Sequence, residues 1–261
     1  MYIAFTLVVF TCHSTYALVS KTNSERKELK ISQIEELAKI GNTDAQFYLV
    51  RFYLENPIDS QKDITKGLFW LEKVAENKPP KFQEWVGSIF HYGRYTDRDF
   101  RKALYWYKKA ADNGRASAMD LVGLFYSGGL GGLKPSCEDA LKWYKKALTG
   151  GFSQSEGNLV WVLSTCPDPQ YRDGAQALQL ALKIIAQKGT REAVDLDNLA
   201  AAYAETNQFD LALKLQKEAL SKVDKKEENA RYKKLSERLE LYKQKKTWQG
   251  ASNMSPEDYN Q

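Results

Sequence analysis

The sequence predicts an all-α fold, a right-handed solenoid of about five antiparallel helix pairs closed by a C-terminal capping helix. The first observation behind this is a repeated octapeptide. Ala103-Leu104-Tyr105-Trp106-Tyr107-Lys108-Lys109-Ala110 returns 37 positions later as Ala140-Leu141-Lys142-Trp143-Tyr144-Lys145-Lys146-Ala147, and a fainter copy, Gly67-Leu68-Phe69-Trp70-Leu71-Glu72-Lys73-Val74, precedes the first by 36. A fixed period in this range marks stacked supersecondary units, each unable to bury its apolar face alone. Second, Ala103, Trp106, Tyr107 and Ala110 fall at i, i+3, i+4 and i+7, the spacing of one helix face. Third, Pro79-Pro80, Asn113-Gly114 and Gly150-Gly151 punctuate the chain between copies, where helices must end.

The first twenty residues carry no Asp, Glu, Lys or Arg and include the apolar run from Ile3 to Phe10. The run is too short to span a bilayer, and small residues at Thr15 and Ala17 mark a cleavage site after Ala17. Residues 1–17 therefore read as a secretory signal peptide, although the positive charge expected at its start is supplied only by the α-amino group. A lipoprotein cut before Cys12 fits less well, because Phe10-Thr11 is not the small pair such processing needs. The expectation is an exported protein, periplasmic or secreted, with no integral membrane span in the mature form.

Residues 18–30 form a polar linker, residues 31–246 the helical repeats, and residues 247–261 a polar, disordered tail. Ile34, Leu37 and Ala38 give a short amphipathic helix stopped by Gly41. The first repeat opens at Asp44, breaks at Asn56-Pro57 and resumes from Ile64 around Trp70. The second runs from Trp85-Val86-Gly87 through a turn at Gly93 to the helix around Trp106. The third has Leu121-Val122-Gly123, the glycine-rich stretch 128–132, and the helix around Trp143. The fourth passes Val160-Trp161-Val162, breaks at Cys166-Pro167-Asp168-Pro169, and places Leu180 in the tryptophan slot. A fifth unit, residues 196–220, turns at Asn207-Gln208 and has Leu215 in that slot. Residues 227–246 make a charged helix with a thin apolar stripe, Tyr232, Leu235, Leu239 and Tyr242, as a terminal cap requires. The tryptophans at helical spacing beside alanine and leucine read as inter-repeat core.

Charge and chemistry narrow the function. The net charge of +5 is accounted for by residues 222–246, which hold ten Lys or Arg against five Asp or Glu, so the repeats are near neutral and nucleic acid is not the expected partner. After signal removal His91 is the only histidine, which excludes a histidine pair for zinc and a multi-histidine relay. The chain has no phosphate-binding loop, and the glycines at 128–132 lack dinucleotide-binding spacing, reading instead as inter-helix punctuation. Ser24-Glu25-Arg26-Lys27 matches the Ser-x-x-Lys of penicillin-recognising enzymes without its partner motifs. The expectation is a non-enzyme with no catalytic residues, no cofactor and no metal.

Val86-Gly87…Phe90, Val122-Gly123…Tyr126 and the Ala-Leu-x-Trp-Tyr-Lys-Lys-Ala octapeptides resemble Sel-one-like repeats, the longer-period relatives of the tetratricopeptide repeat. Leu199…Tyr203…Ala212…Ala219-Leu220 is similar to an ordinary tetratricopeptide repeat. The resemblance covers about residues 34–246, with departures at Val50 and Trp161, which replace the glycine. It implies a module that binds proteins or peptides along a concave face, such as an envelope scaffold or a regulator. An immunity or inhibitor protein that neutralises a toxin or hydrolase is an alternative, and a β-lactam-binding or β-lactamase-like protein a weaker third. Tetratricopeptide geometry, transferred with Leu49, Val86, Val122, Val160 and Leu199 packing inward, points residues two before, two after and five after such positions into that groove: Phe47, Arg51, Glu84, Ser88, His91, Asp120, Leu124, Ser127, Asn158 and Asp197, a mixed surface suited to a peptide or protein.

Export also gives the cysteines a role. Loss of Cys12 with the signal leaves Cys137 and Cys166, an even count in an oxidising compartment. Cys137 starts one helix and Cys166 follows the next; in an antiparallel pair these ends are neighbours, so the expectation is a disulfide between them.

Overall fold

The computed structural model describes residues 30–55, 63–189, 192–224 and 229–250. The expected signal peptide, all but the last residue of the linker, the Asn56-Pro57 break and residues 251–261 of the tail lie outside the described residues. The chain divides into two compact units, residues 1–77 and 78–261. Among the described residues the regular secondary structure is helical throughout, the all-α repeat architecture that the period predicts.

In the first unit, α1 (Ile31–Lys39) packs on α2 (Thr43–Glu55), which pairs with α3 (Ile64–Ala75). Ile34 and Ala38 are the buried residues of α1, and the Tyr53 hydroxyl of α2 donates to Glu35 at 2.6 Å. The second unit holds four helix pairs. These are α4 (Pro80–Tyr92) with α5 (Phe100–Asp112), α6 (Ala116–Gly128) with α7 (Cys137–Thr149), α8 (Ser155–Thr165) with α9 (Gly174–Lys188), and α10 (Ala193–Glu205) with α11 (Phe209–Ser221). The charged α12 (Asn229–Lys243) packs on α11 as the terminal cap. The even-numbered helices from α2 to α10 are the A helices of the repeats, and their odd-numbered partners the B helices.

In each of the first four repeats one residue sets the turn. Asp63, Asp99, Ser136 and Asp173, spaced by 36 or 37 positions, precede the B helices, and each side chain accepts from the backbone N–H three residues on at 2.9 to 3.1 Å. Such a cap satisfies an otherwise orphaned N–H and contributes about 1 kcal/mol. The backbone N–H of the same four residues donates to the carbonyls of Tyr53, Phe90, Tyr126 and Leu163, near the ends of the preceding A helices. The cap residue thus starts one helix and ties it to the last, which holds each pair antiparallel. In the third repeat the longer connection needs glycine: Gly131 takes φ +67°, and a Cβ there would stand 2.7 Å from the Phe100 carbonyl oxygen.

The packing inside each pair repeats as well. A Cβ on Gly87 or Gly123 would come within 2.7 Å of the ring of Tyr107 or Tyr144, the aromatic one place after the tryptophan slot. Glycine on the A helix therefore admits a tyrosine from the B helix. The first repeat reverses both choices, with Val50 and Leu71 at the equivalent positions, both buried. Trp70, Trp106 and Leu215 of the tryptophan slot are buried; Trp143 and Leu180 are half-buried, and Lys146 Nζ lies 4.1 Å from the Trp143 ring centroid. Full burial of such a side chain contributes roughly 2–3 kcal/mol.

Candidate interaction surface

The polar residues expected to line a groove join one A helix to the next. Glu84 of α4 takes the Arg115 guanidinium in an ion pair and accepts from the Ser117 hydroxyl at 2.8 Å, at the start of α6. Thirty-six positions on, Asp120 of α6 accepts from Ser155 at 2.6 Å and from the Asn158 amide at 2.9 Å, both on α8. Burial pushes the Asp120 carboxyl up, against the pull of those two hydrogen bonds. Asn198 of α10 donates to the Gly157 carbonyl of α8 at 3.1 Å. Asp197 then meets α12, where the Arg238 guanidinium donates Nε to Oδ1 at 2.9 Å and Nη2 to Oδ2 at 2.7 Å. Both side chains of this pair are 3% exposed. Glu84, Asp120, Asn158 and Asp197 are therefore committed to inter-repeat joints, and Asp197 is removed from any surface.

His91 and Ser127 also lie in the core. They occupy equivalent positions 36 residues apart, and each faces the B-helix tyrosine of its own pair. His91 Nδ1 is 3.1 Å from the Tyr107 hydroxyl, and the Tyr144 hydroxyl donates to Ser127 Oγ at 3.5 Å. Burial, and secondarily the Arg98 charge, lower the His91 pKa from 6.5 to about 4, so the ring is neutral at physiological pH. The slot transfer failed here because it assumed the position five after the inward residue to be free. In this chain a tyrosine reaches across the pair to fill it, and the Gly87/Tyr107 and Gly123/Tyr144 pairing in the sequence was the available signal.

What stays open is a neighbouring stripe. On α4, Lys81, Trp85, Ser88 and Tyr92 follow at i, i+4, i+7 and i+11; Trp85 is 40% exposed and Tyr92 54%. On α6 the equivalent Leu121 and Leu124 are half-exposed. The Ser88 hydroxyl donates to the Trp85 carbonyl at 2.6 Å, which leaves the indole as the main contact group of the stripe. Of the expected groove residues, Ser88 and Leu124 lie on this open face. Phe47, half-buried, and Arg51, exposed and 3.5 Å from Glu55, belong to α2 of the first unit. Trp85 and Leu121 were missed because the slot rule moved two residues from the buried position, whereas they stand one residue before it; Tyr92, six residues after it, lies beyond the rule's last slot.

The disulfide is formed as expected: Cys137 at the start of α7 and Cys166 after α8 are bridged, with Cα atoms 6.2 Å apart. Among the described residues no group of three His, Cys, Asp or Glu is placed to hold a metal ion, and no helix is long and apolar enough to cross a membrane.

Comparison with known proteins agrees with the repeat geometry. The Sel1 repeat profile matches residues 43–78, 80–114 and 116–152, the three pairs α2–α3, α4–α5 and α6–α7. A Sel1 repeat protein from Oxalobacter formigenes is 30% identical over 48% of this chain and 92% of its own, with a TM-score of 0.35. A protective antigen of uropathogenic Escherichia coli strains that displays an SLR fold is 19% identical over 89% of this chain, with a TM-score of 0.48. This chain spans 47% of that protein's length. No curated protein is significantly similar. With three consecutive repeats matched in register with three helix pairs, and a relative covered over nearly its whole length, the chain belongs to the Sel1 repeat family.

Proposed function

We propose that the protein is a non-catalytic interaction module of the bacterial envelope, a scaffold or regulator that binds a protein or peptide through the open stripe on α4 and α6. Sel1 repeats are generally protein–protein interaction modules, and the observation that carries the reading to a surface is the pair Trp85 and Tyr92. Large rings standing 40% and 54% exposed two helical turns apart on one face, with Lys81 a turn before Trp85, make an amphipathic contact surface of the composition that interface centres favour. The envelope assignment rests on the signal-like first 17 residues and on a disulfide suited to an oxidising compartment.

The test is a photo-crosslinking residue placed at Ser88 in the chain expressed with its own N-terminus. The expected result is a crosslinked protein adduct in the envelope fraction that disappears when Trp85 and Tyr92 are both replaced by alanine. A single stoichiometric adduct with a hydrolase or toxin identifies an inhibitor rather than a scaffold. An adduct unchanged by the double substitution removes the stripe as the site. Recovery of a chain whose mass still includes residues 1–17, in the cytoplasmic fraction, removes the envelope assignment.

A further inference from the structure

The last two repeats carry a second surface, and its occupant is in view. The carbonyls that take the cap N–H groups, those of Phe90, Tyr126 and Leu163, set the register of the fourth repeat so that Val160, not Trp161 as the sequence suggested, holds the glycine place. Trp161 of α8 instead stands 37 positions after Leu124 and 73 after Ser88, the positions that remain open on α6 and α4, yet it is 3% exposed. What covers it comes from the C-terminal end. The Arg238 guanidinium lies 5.0 Å from the Trp161 ring centroid and 5.8 Å from that of Trp248, beyond the end of α12. Two residues on, both main-chain polar groups of Gly250 meet one residue of α8: its N–H donates to the Thr165 carbonyl at 2.8 Å, and its carbonyl lies 2.9 Å from the Thr165 hydroxyl, whose single proton it shares with the Trp161 carbonyl at 2.8 Å.

A non-helical segment gripped through its backbone, with a ring set against a cation, is how binding surfaces hold extended peptides. Its glycine is specified, since a Cβ on Gly250 would stand 2.7 Å from the Trp248 indole nitrogen. The fit is also incomplete. The indole nitrogens of Trp161 and Trp248, the two rings nearest the Arg238 guanidinium, are buried with no hydrogen-bond partner among the described residues. An unpaired buried indole N–H costs binding free energy, so a segment that offers these two groups an acceptor competes with the tail.

We propose that the face of α8 at Trp161 and Thr165, with Arg238 of α12 beside it, is a peptide-binding site, that the chain's own residues 247–250 fill it as a tethered ligand, and that its outside ligand is an extended segment of a partner protein carrying an indole two residues before a glycine. Tethering gives the internal segment a local concentration in the millimolar range, so the site opens only to a tighter segment or when the tail is withdrawn. This site is separate from the α4 and α6 stripe and stands or falls independently of it.

The experiment uses the disulfide-intact chain ending at Lys245, which keeps α12 and Arg238, and a fluorescently labelled, amide-capped peptide of residues 246–250. Anisotropy should show saturable binding to the shortened chain and none to the full-length chain. Binding should weaken roughly tenfold when the peptide's tryptophan becomes alanine and similarly for Thr165→Val in the chain. A shortened chain that keeps its helical circular dichroism but does not bind overturns the proposal. So does equal binding by the full-length chain or by the alanine peptide. Should the shortened chain lose its helical signal, the titration is made on full-length Trp248→Ala, where binding supports the site and its absence overturns it.

Discussion

Acidification from pH 7 to pH 5 removes about 2 kcal/mol of folding stability through one side chain, that of His91. Its ring is fully buried, stacked 4.7 Å from Tyr92 and edge-on to Phe100, Tyr107 and Phe125 at 5.3 to 5.8 Å. In that apolar setting the protonated form is penalised, and the pKa falls from 6.5 to about 4. The unfolded chain takes up the proton near pH 6.5 and the folded chain only near pH 4. Between those values the unfolded state binds more protons and gains, so the contribution is whole above pH 6.5 and is lost as the pH falls to about 4. The assay is urea unfolding at pH 7 and pH 5 of the wild type and of His91→Asn, which keeps a polar atom toward Tyr107 and does not titrate. Groups such as Asp120, whose carboxyl burial holds up, titrate in both proteins and cancel in the comparison. The wild type should lose about 2 kcal/mol more than the variant between the two pH values. Equal losses would refute the claim that His91 is held neutral by its surroundings.

Three further outcomes are expected. Gly123→Ala places a methyl group 2.7 Å from the Tyr144 ring and should destabilise by roughly 1–3 kcal/mol; adding Tyr144→Leu, which brings in the first repeat's Leu71 side chain, should recover part of the loss in thermal denaturation. Asp197→Ala strips the carboxylate from a guanidinium that is 3% exposed and should cost about 3–5 kcal/mol, whereas Trp85→Ala on the open stripe should change stability by no more than ~0.5 kcal/mol. Reduction of Cys137–Cys166, or Cys137→Ser with Cys166→Ser, should lower stability by about 3–4 kcal/mol for a bridge between positions 29 apart, and alkylation of the non-reduced protein should add no mass at these two positions.

The period was legible because the same packing problem is solved several times. Trp106 and Trp143, or Gly87 with Tyr107 and Gly123 with Tyr144, recur at fixed distances, and recurrence exposes helix pairs without any tertiary information. Even the Cys137–Cys166 bridge followed from the antiparallel layout together with the even cysteine count expected after export. The surface was less legible, because exposure depends on what a neighbouring element brings. Glu84 and Asp120 look like free carboxylates in sequence, and only the structure shows Arg115 and Ser117 reaching the first, and Ser155 and Asn158 the second. Arg238 is hidden in a different way. It sits among ten basic residues in a stretch that reads as solvated, and nothing local distinguishes it from Lys234 or Lys243 until Asp197, 41 positions away, is placed beside it.

The series Ser88, Leu124 and Trp161 shows why one repeat scaffold presents two kinds of surface. The helix pairs are built alike, so the equivalent position on each A helix is offered to solvent by the same backbone geometry. Ser88 and Leu124 tolerate that exposure; an indole at the third position has more apolar area to lose from water and a ring face that attracts a cation. The chain supplies both the cover and the cation, from residues 247–250 and from Arg238. The cover is not a further turn of α12, which ends at Lys243. Instead the backbone leaves the helix, and Gly250 is met at both its N–H and its carbonyl by Thr165, one residue before the disulfide-bonded Cys166. A contact made through main-chain atoms accepts an extended segment, the indole and the glycine choose which one, and that combination separates a ligand site from a cap.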